Sequence, residues 1–389
     1  MSEGAPTAVP EREGLPAQSP PAAPDATTGS AGAGTPAAGG AATGAVVTGR
    51  ADPARLGWLR GDASESMWRN LGLLGVLVVL IVIGAATRPD LYGNSAWVWD
   101  NILSILKLAS VIGVVTVGMT FVIIGGGIDL SVGAIVALAG VWCTTLATQS
   151  YGAGGMIFCA LVVGVCVGLV NGTLIAYGRL VPFIATLAML VAARGLAAEI
   201  SNKQTQVSSN TSINAIASDK ILGIPLLVYI LALVVAAGWV LLNRTTFGRR
   251  TVAVGGNPEA ARLAGINVRL HTLLLYALSG LCCGIAAIML TATANSAQAG
   301  MANLYELDAI AAAIIGGTLL SGGRGTIIGS LLGVIIFATI TNLFAINGLS
   351  TESQNMVKGG IIIAAVLIQQ FRFRSLTQFL ARNKALTTT

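Results

Sequence analysis

Few residues in this chain are of a type that could do chemistry, and their spacing narrows the choice. There is one histidine, His271, and there are five cysteines: Cys143, Cys159, Cys166, Cys282 and Cys283, all inside apolar segments. Without metal-ligand spacing or polar company, those cysteines read as small packing residues and not as a metal or redox site. No GxxxxGK followed by Ser or Thr, no HExxH and no GxSxG occurs, and the Gly322-Gly323-Arg324-Gly325 run lacks the lysine of a phosphate loop. Nucleotide hydrolysis, metalloprotease chemistry and serine-hydrolase chemistry are left without residues to perform them. What remains are polar groups at breaks in apolar sequence (Asp129, Ser131, Asn171, Glu306, Asp308) and a basic island from Asn243 to His271.

The island holds Arg244, Arg249, Arg250, Arg262 and Arg269 against one acid, Glu259. Within it, Gly256-Asn257-Pro258-Glu259-Ala260-Ala261-Arg262-Leu263-Ala264-Gly265 predicts a short helix with both ends signed. Asn257 suits the N-cap, Pro258 the first helical position, Glu259 the positive end of the dipole and Gly265 the left-handed position past the last turn. Ala260, Ala261 and Ala264 keep its surface slim, Leu263 offers an apolar contact, and Glu259 and Arg262 share a face. A capped helix on a loop between two apolar halves has little to do in lipid. It is expected to touch another protein on the cytoplasmic side.

The elements that must position these groups are membrane helices. Of 389 residues, 54% are hydrophobic and 10% charged, where a soluble domain carries about a quarter charged. The net charge of +6 reads as the Lys/Arg excess that orients membrane proteins, not as a nucleic-acid footprint. Residues 1–66, with seven of the twelve prolines between Pro6 and Pro36, have too little apolar surface to offset ordering entropy and are expected to be a disordered cytoplasmic tail. They show no signal-peptide pattern, so the first span is expected to stay as an uncleaved anchor.

A crossing needs about 20 apolar residues. Such runs lie at 71–87, 102–124, twice within 130–178 (split at Gln149-Ser150-Tyr151-Gly152), and at 182–198, 225–242, 272–292, 309–320, 326–346 and 355–370. This predicts an all-α polytopic membrane protein of about ten transmembrane helices, the eighth short and glycine-broken. The membrane domain occupies 67–375, with 244–270 as its cytoplasmic loop and 376–389 as a cytoplasmic tail. With the N-terminus inside, fifteen Lys and Arg stand at inner membrane ends: Arg50, Arg55, Arg60, Arg69, Arg179, the island's five, Arg324, Arg372, Arg374, Arg382 and Lys384. Four stand outside, Arg88, Lys203, Lys220 and Lys358, and that asymmetry sets both termini in the cytoplasm.

Two strings echo each other: Ile123-Ile124-Gly125-Gly126-Gly127-Ile128-Asp129-Leu130-Ser131 and Ile314-Ile315-Gly316-Gly317-Thr318-Leu319-Leu320-Ser321. Each follows a helical run and precedes another, which suggests two inverted repeats with broken helices, as in transporters. Gly126, Gly127, Asp129, Ser131, Gly316, Gly317 and Asn171 are then candidates for lining a pathway. Asp129 has a second reading, in which it or Ser131 caps the helix that follows, close to water. Lys107 and Arg194 read as side chains snorkelling to the outer headgroups. Glu306 and Asp308 cap the eighth span from outside or meet a docking protein. Trp97, Trp99 and Tyr151 suit an aromatic belt better than a sugar-stacking site. Asn171, Thr173, Asn295, Ser296 and Gln298 could bond a hydroxylated solute or join helices together.

Three strings carry a resemblance. Gly118-Met119-Thr120-Phe121-Val122-Ile123-Ile124-Gly125-Gly126-Gly127-Ile128-Asp129-Leu130-Ser131-Val132-Gly133, Tyr305-Glu306-Leu307-Asp308-Ala309-Ile310-Ala311-Ala312 with Leu320-Ser321-Gly322-Gly323-Arg324-Gly325-Thr326, and the Gly255–Ile266 loop resemble the ribose/xylose-type permeases of bacterial ABC sugar importers. The resemblance covers about 71–370, and the long N-terminal tail departs from it. It implies a type II-like importer fold in the bacterial cell membrane, with a second permease subunit (a homodimer), cytoplasmic ATPase subunits and an extracytoplasmic sugar-binding protein. It also implies no cofactor on this chain, since ATP and Mg belong to the ATPase. Permeases for branched-chain amino acids and nucleosides share such glycine breaks. An ion-coupled secondary transporter would want a relay of intramembrane carboxylates, and only Asp129 is available.

Overall fold

In the computed structural model the backbone is described for residues 53–364 and 367, and the side chains for residues 69–364 and 367. The expectations for residues 1–52, 365, 366 and 368–389, and for the side chains of Arg55 and Arg60, lie outside the described residues.

The chain runs α1 Pro53–Thr87, α2 Pro89–Tyr92, α3 Ser95–Ile124, α4 Val132–Cys143, α5 Leu146–Gln149, α6 Gly152–Ala176 and α7 Pro182–Ile200. It continues through β1 Gln206–Val207, α8 Thr211–Ser218, β2 Lys220–Ile221, β3 Ile224–Pro225, α9 Leu226–Arg244, α10 Thr246–Gly256 and α11 Pro258–Leu263. The remainder is α12 Val268–Ala294, β4 Ser296–Ala297, α13 Tyr305–Ile315, α14 Ile327–Ile346 and a helical stretch over 351–364, here α15. The strands form two short antiparallel pairs, β1 with β4 and β2 with β3.

Among the described residues, seven helices are long and apolar enough to cross a membrane: the 69–87 part of α1, then α3, α6, α7, α9, α12 and α14. Over the described residues each of the ten expected segments contains helix, and two of these helices are short, the eighth segment's as expected. With 12 and 11 residues, α4 and α13 rise only about 18 and 16 Å, against a hydrocarbon core of about 30 Å. The span expected from 130 to the split at Gln149 stops earlier, at Cys143, and Leu146–Gln149 forms a separate turn of helix, α5, opened by the Thr145 cap. Two other bounds shift. The helix of α1 already begins at Pro53, inside the tail expected to end at 66. The start of α3 falls at Ser95, seven residues before 102, because Asn94 accepts from the N–H groups of Ala96 and Trp97 and caps the helix there.

The halves correspond as α3 with α12, α4 with α13, and α6 with α14. Helix α12 lies along α6 and α4, just as α3 lies along α14 and α13; α4 packs on α6 as α13 packs on α14. The α6–α12 seam is a close one, since a Cβ on Gly164 or Gly280 would run into the other helix's backbone. The short helices run in opposite senses: α4 starts where α3 breaks, while α13 ends beside that same break. This is the expected inverted repeat, with spans two to four matching seven to nine, although the two glycine strings are not themselves counterparts. The counterpart of the first glycine break is the 295–304 loop between α12 and α13, and the two glycine strings sit side by side on one face.

Candidate functional site

Both glycine breaks end a helix in the same way. Gly126 (φ +86°) and Gly317 (φ +87°) are left-handed, a conformation glycine adopts without a Cβ penalty. Gly126 N–H bonds Ile123 O and Gly127 N–H bonds Val122 O; Gly317 N–H bonds Ile314 O and Thr318 N–H bonds Ala313 O. These are two copies of one C-terminal cap. The likeness of the strings is therefore one of local conformation.

The breaks meet, and the end of α10 joins them. Gly323 N–H donates to Ile124 O at 2.8 Å. A Cβ on Gly322 would lie 2.8 Å from Gly255 O and 2.9 Å from Gly126 Cα; one on Gly323 would lie 2.9 Å from Gly256 Cα. One on Gly255 would strike Ile124 O and lie 2.7 Å from Gly323 N. Three backbone segments from three parts of the chain thus touch with no side chain between them.

Directly after this joint comes α11, built as its sequence predicts. The Asn257 side chain accepts from Ala260 N–H at 3.0 Å, and Pro258 opens the helix. Gly265 (φ +83°) closes it, with Gly265 N–H on Arg262 O and Ile266 N–H on Ala261 O, both 3.0 Å. Glu259 and Arg262 pair at 2.9 Å, both exposed. Asn257, Pro258, Ala260, Ala264 and Leu263 (82% exposed) face outward, as does Gly256. Ala261 does not: at 4% exposure it packs inward, so its small size serves the chain's own packing rather than an outer surface. Arg244, Arg249, Arg250 and Arg269 are exposed around this face. His271 is buried at the start of α12, where Nε2 lies 2.9 Å from Thr251 Oγ1 and ties α10 to α12.

The first break is pinned by a polar cluster. Asp129 is fully buried and accepts from Ser131 N–H (3.0 Å), Ser131 Oγ (2.6 Å) and, from α12, Ser279 Oγ (3.0 Å). Asn171 on α6 donates to Ser131 Oγ at 2.8 Å. Tyr276 Oη and Thr186 Oγ1 both donate to Ile128 O. Asp129 holds the N–H of Ser131 at the start of α4, whereas Ser131's own hydroxyl makes no cap bond. Asp129 was expected to lie close to water, but it has no exposed surface. The second break is held by Thr120 Oγ1 to Ser330 Oγ (2.9 Å), with Gly316 packed backbone to backbone on Gly329.

Other candidates lie elsewhere. Glu306 and Asp308 stand in the first turn of α13, both buried, and Asp308 pairs with Lys358 of α15 at 3.0 Å. Asp308 thus links α13 to α15, whereas Glu306 is buried with its Oε2 unpartnered. Arg194 does not snorkel, because it donates to the carbonyls of Ala299, Met301 and Ala302 and clasps the α12–α13 loop. Trp99 and Tyr151 are exposed. Gln298 accepts from Thr205, and Thr173 bonds its own helix. Sequence reasoning quoted Gly255, Gly322 and Gly323 within longer strings without a site role and did not single out Tyr276 or Ser279, because the partners of all five lie far away in the chain.

An all-helical, multi-pass bundle with half-length helices meeting at glycine breaks, and a capped helix outside it, defines the membrane component of a transport machine. The family described as branched-chain amino acid transport system / permease component matches residues 101–366, and the chain belongs to it. It is a transport component, not an enzyme. It is 39% identical to the ribose import permease protein of Bacillus subtilis over 308 residues, 79% of this chain and 94% of that one. It is 37% identical to the galactofuranose transporter permease protein of Escherichia coli over 307 residues, 78% and 90% of the two chains. With the L-arabinose ABC transporter permease protein of Azospirillum brasilense it shares 36% identity over 315 residues, 80% and 91%. No solved structure matches.

Proposed function

We propose that this chain forms the translocation pathway of an ATP-driven monosaccharide importer. In this reading ATP and Mg are bound by a separate cytoplasmic ATPase, and the chain holds no cofactor of its own. A second copy completes the membrane portion as a homodimer. An external sugar-binding protein delivers the solute to the face opposite α11, and both termini lie in the cytoplasm. The observation that carries the proposal is the position of α11: a rigid, capped and exposed helix one residue away from the glycine joint. Pressure on α11 reaches both helix breaks through backbone contacts that have no side chains to absorb it. Pathway lining by Gly126, Gly127, Gly316 and Gly317, with Asp129, Ser131 and Asn171 behind them, belongs to this reading. So does the role of 256–265 as the coupling element. The substrate class rests on sugar permeases being similar over most of their length.

The experiment is ATP-driven uptake into proteoliposomes holding this chain with its partner ATPase and binding protein, with labelled D-ribose, L-arabinose, D-galactose and L-leucine. Uptake of a sugar and not of leucine is expected. Leucine uptake alone would move the substrate to the amino acids in the family description, and uptake without ATP would defeat the ATPase-driven scheme.

A further inference from the structure

The loop at the far end of the bundle from α11 is held largely by one side chain. Helix α12 begins beside α11 and has 27 residues, so it carries the chain about 40 Å away before residues 295–304 turn back into α13. Arg194, half-buried on α7, donates to three carbonyls of that loop: Ala299 O at 2.8 Å, Met301 O at 3.1 Å and Ala302 O at 3.4 Å. Helix α7 packs on α4 of the first half, while the loop joins α12 to α13 of the second, so the clasp runs between the halves. The segment it holds is strained. Ala302 and Leu304 are left-handed, with φ of +55° and +66°, a region that a residue with a Cβ avoids unless its surroundings impose it.

Beside the clasp lies a carboxylate with bonding capacity to spare. Glu306 is buried, its Oε2 has no hydrogen-bond partner, and among the described residues it has no ion pair. The other acid of that turn, Asp308, already has its cation in Lys358. A Cβ on Gly133 would lie 2.5 Å from Glu306 Oε2 and 3.5 Å from Arg194 Nη2, and would strike Ala302 O. Measured from that shared point, the carboxylate and the guanidinium are within about 6 Å of each other, a distance that a change of rotamer in so long a side chain covers. Gly133 and Glu306 stand in the first turns of α4 and α13, so these groups meet where both half-length helices begin. Arg194 therefore has two sets of acceptors in reach. One is the row of loop carbonyls, and the other is a carboxylate, which a guanidinium bonds strongly and in bidentate fashion. Whichever set it holds, the other is left without it.

We propose that Arg194 and Glu306 are the latch of a gate at the end of the pathway opposite the coupling helix. With Arg194 on the loop carbonyls the gate is closed, as in this structure. When Arg194 turns to Glu306 the loop is released, Ala302 and Leu304 relax, and the start of α4 opens to that face. Both are positioning residues and neither touches the solute. The latch rests on the importer reading, but its resting equilibrium can be measured without transport.

The test follows a cysteine placed at Ala302, which is 7% exposed, in the full chain in nanodiscs with Cys159 and Cys166 replaced. The readout is its rate of labelling by a water-soluble maleimide. Arg194→Met removes the clasp and is expected to raise the rate ten-fold or more over this parent. Glu306→Gln removes the alternative partner at nearly constant shape and is expected to lower the rate three-fold or more. Glu306→Asp keeps the charge and is expected to label at a rate nearer the parent's than that of Glu306→Gln. A glutamate with a merely structural role would give a Glu306→Gln variant that labels as fast as the parent or faster; either result overturns the latch. So does an Arg194→Met rate within two-fold of the parent, or a Glu306→Asp rate equal to that of Glu306→Gln. Melting temperatures identify a variant that has lost its fold, and Glu306→Gln decides the matter if Arg194→Met is one. ATP-driven uptake by the assembled importer separates the two proposals. If the parent imports a sugar and Glu306→Gln imports it at the same rate, the latch is refuted and the importer stands. If the parent imports no solute, the importer reading fails, and the labelling rates still judge the latch.

Discussion

The glycine joint makes a prediction with a built-in control. Gly255 and Gly256 are neighbours at the end of α10 with ordinary negative φ, so alanine fits the backbone conformation of both. Alanine in place of helical glycine is worth about 0.5–1 kcal/mol in favour of the helix. At Gly256 a Cβ meets nothing within 4 Å, whereas at Gly255 it strikes Ile124 O and sits 2.7 Å from Gly323 N. Both obstacles are backbone, which no rotamer change can relieve. Overpacking costs about 1–3 kcal/mol, and separating Gly323 N–H from Ile124 O leaves a buried donor at about 1–3 kcal/mol more. Set against the helix gain, Gly255→Ala weakens the joint by about 3 kcal/mol, enough to shift its closed population about a hundred-fold. The assay is ATP-driven uptake beside ATPase co-purification, with thermal unfolding as the check on folding. Gly256→Ala is expected to match wild type in all three. Gly255→Ala is expected to keep the ATPase bound yet lose uptake ten-fold or more. Uptake within two-fold of the Gly256→Ala variant would refute the idea that coupling passes through this contact.

Further outcomes follow from individual residues. In a background with Cys166 replaced, a cysteine at Ser209 is expected to react with an impermeant maleimide from outside the cell, and one at Ala260 only after permeabilisation; external labelling at Ala260 would reverse the orientation. Ala264→Trp, on the exposed side of α11, is expected to abolish ATPase co-purification with an unchanged melting temperature, while Ala261→Trp, facing inward, lowers the melting temperature. The opposite pattern would mean the helix docks by its other face. Lys358→Met leaves Asp308 buried without its cation and is expected to destabilise by about 3–5 kcal/mol; Lys358→Met with Asp308→Leu should recover most of that. A double variant as unstable as the single one would show that the pair does not work as a unit.

What the residues alone determine here is whatever a short window contains. The apolar runs need only about 20 residues to announce a crossing, and the Lys and Arg beside them carry the orientation argument. The α11 helix is complete within ten residues, because Asn257, Pro258 and Gly265 cap it from inside the same window. What tertiary structure decided concerns groups brought together from far apart. Gly255 next to Ile124 and Gly323, Asp129 next to Ser279, and Asp308 next to Lys358 are pairs whose separations exceed any local pattern. The glycine strings are alike without being counterparts for the same reason: two helix ends with equal capping geometry share a sequence, whatever their places in the fold. Ala261 was read as surface because a slim residue suits either side of a short helix, and only the neighbouring helices fix which side is inside.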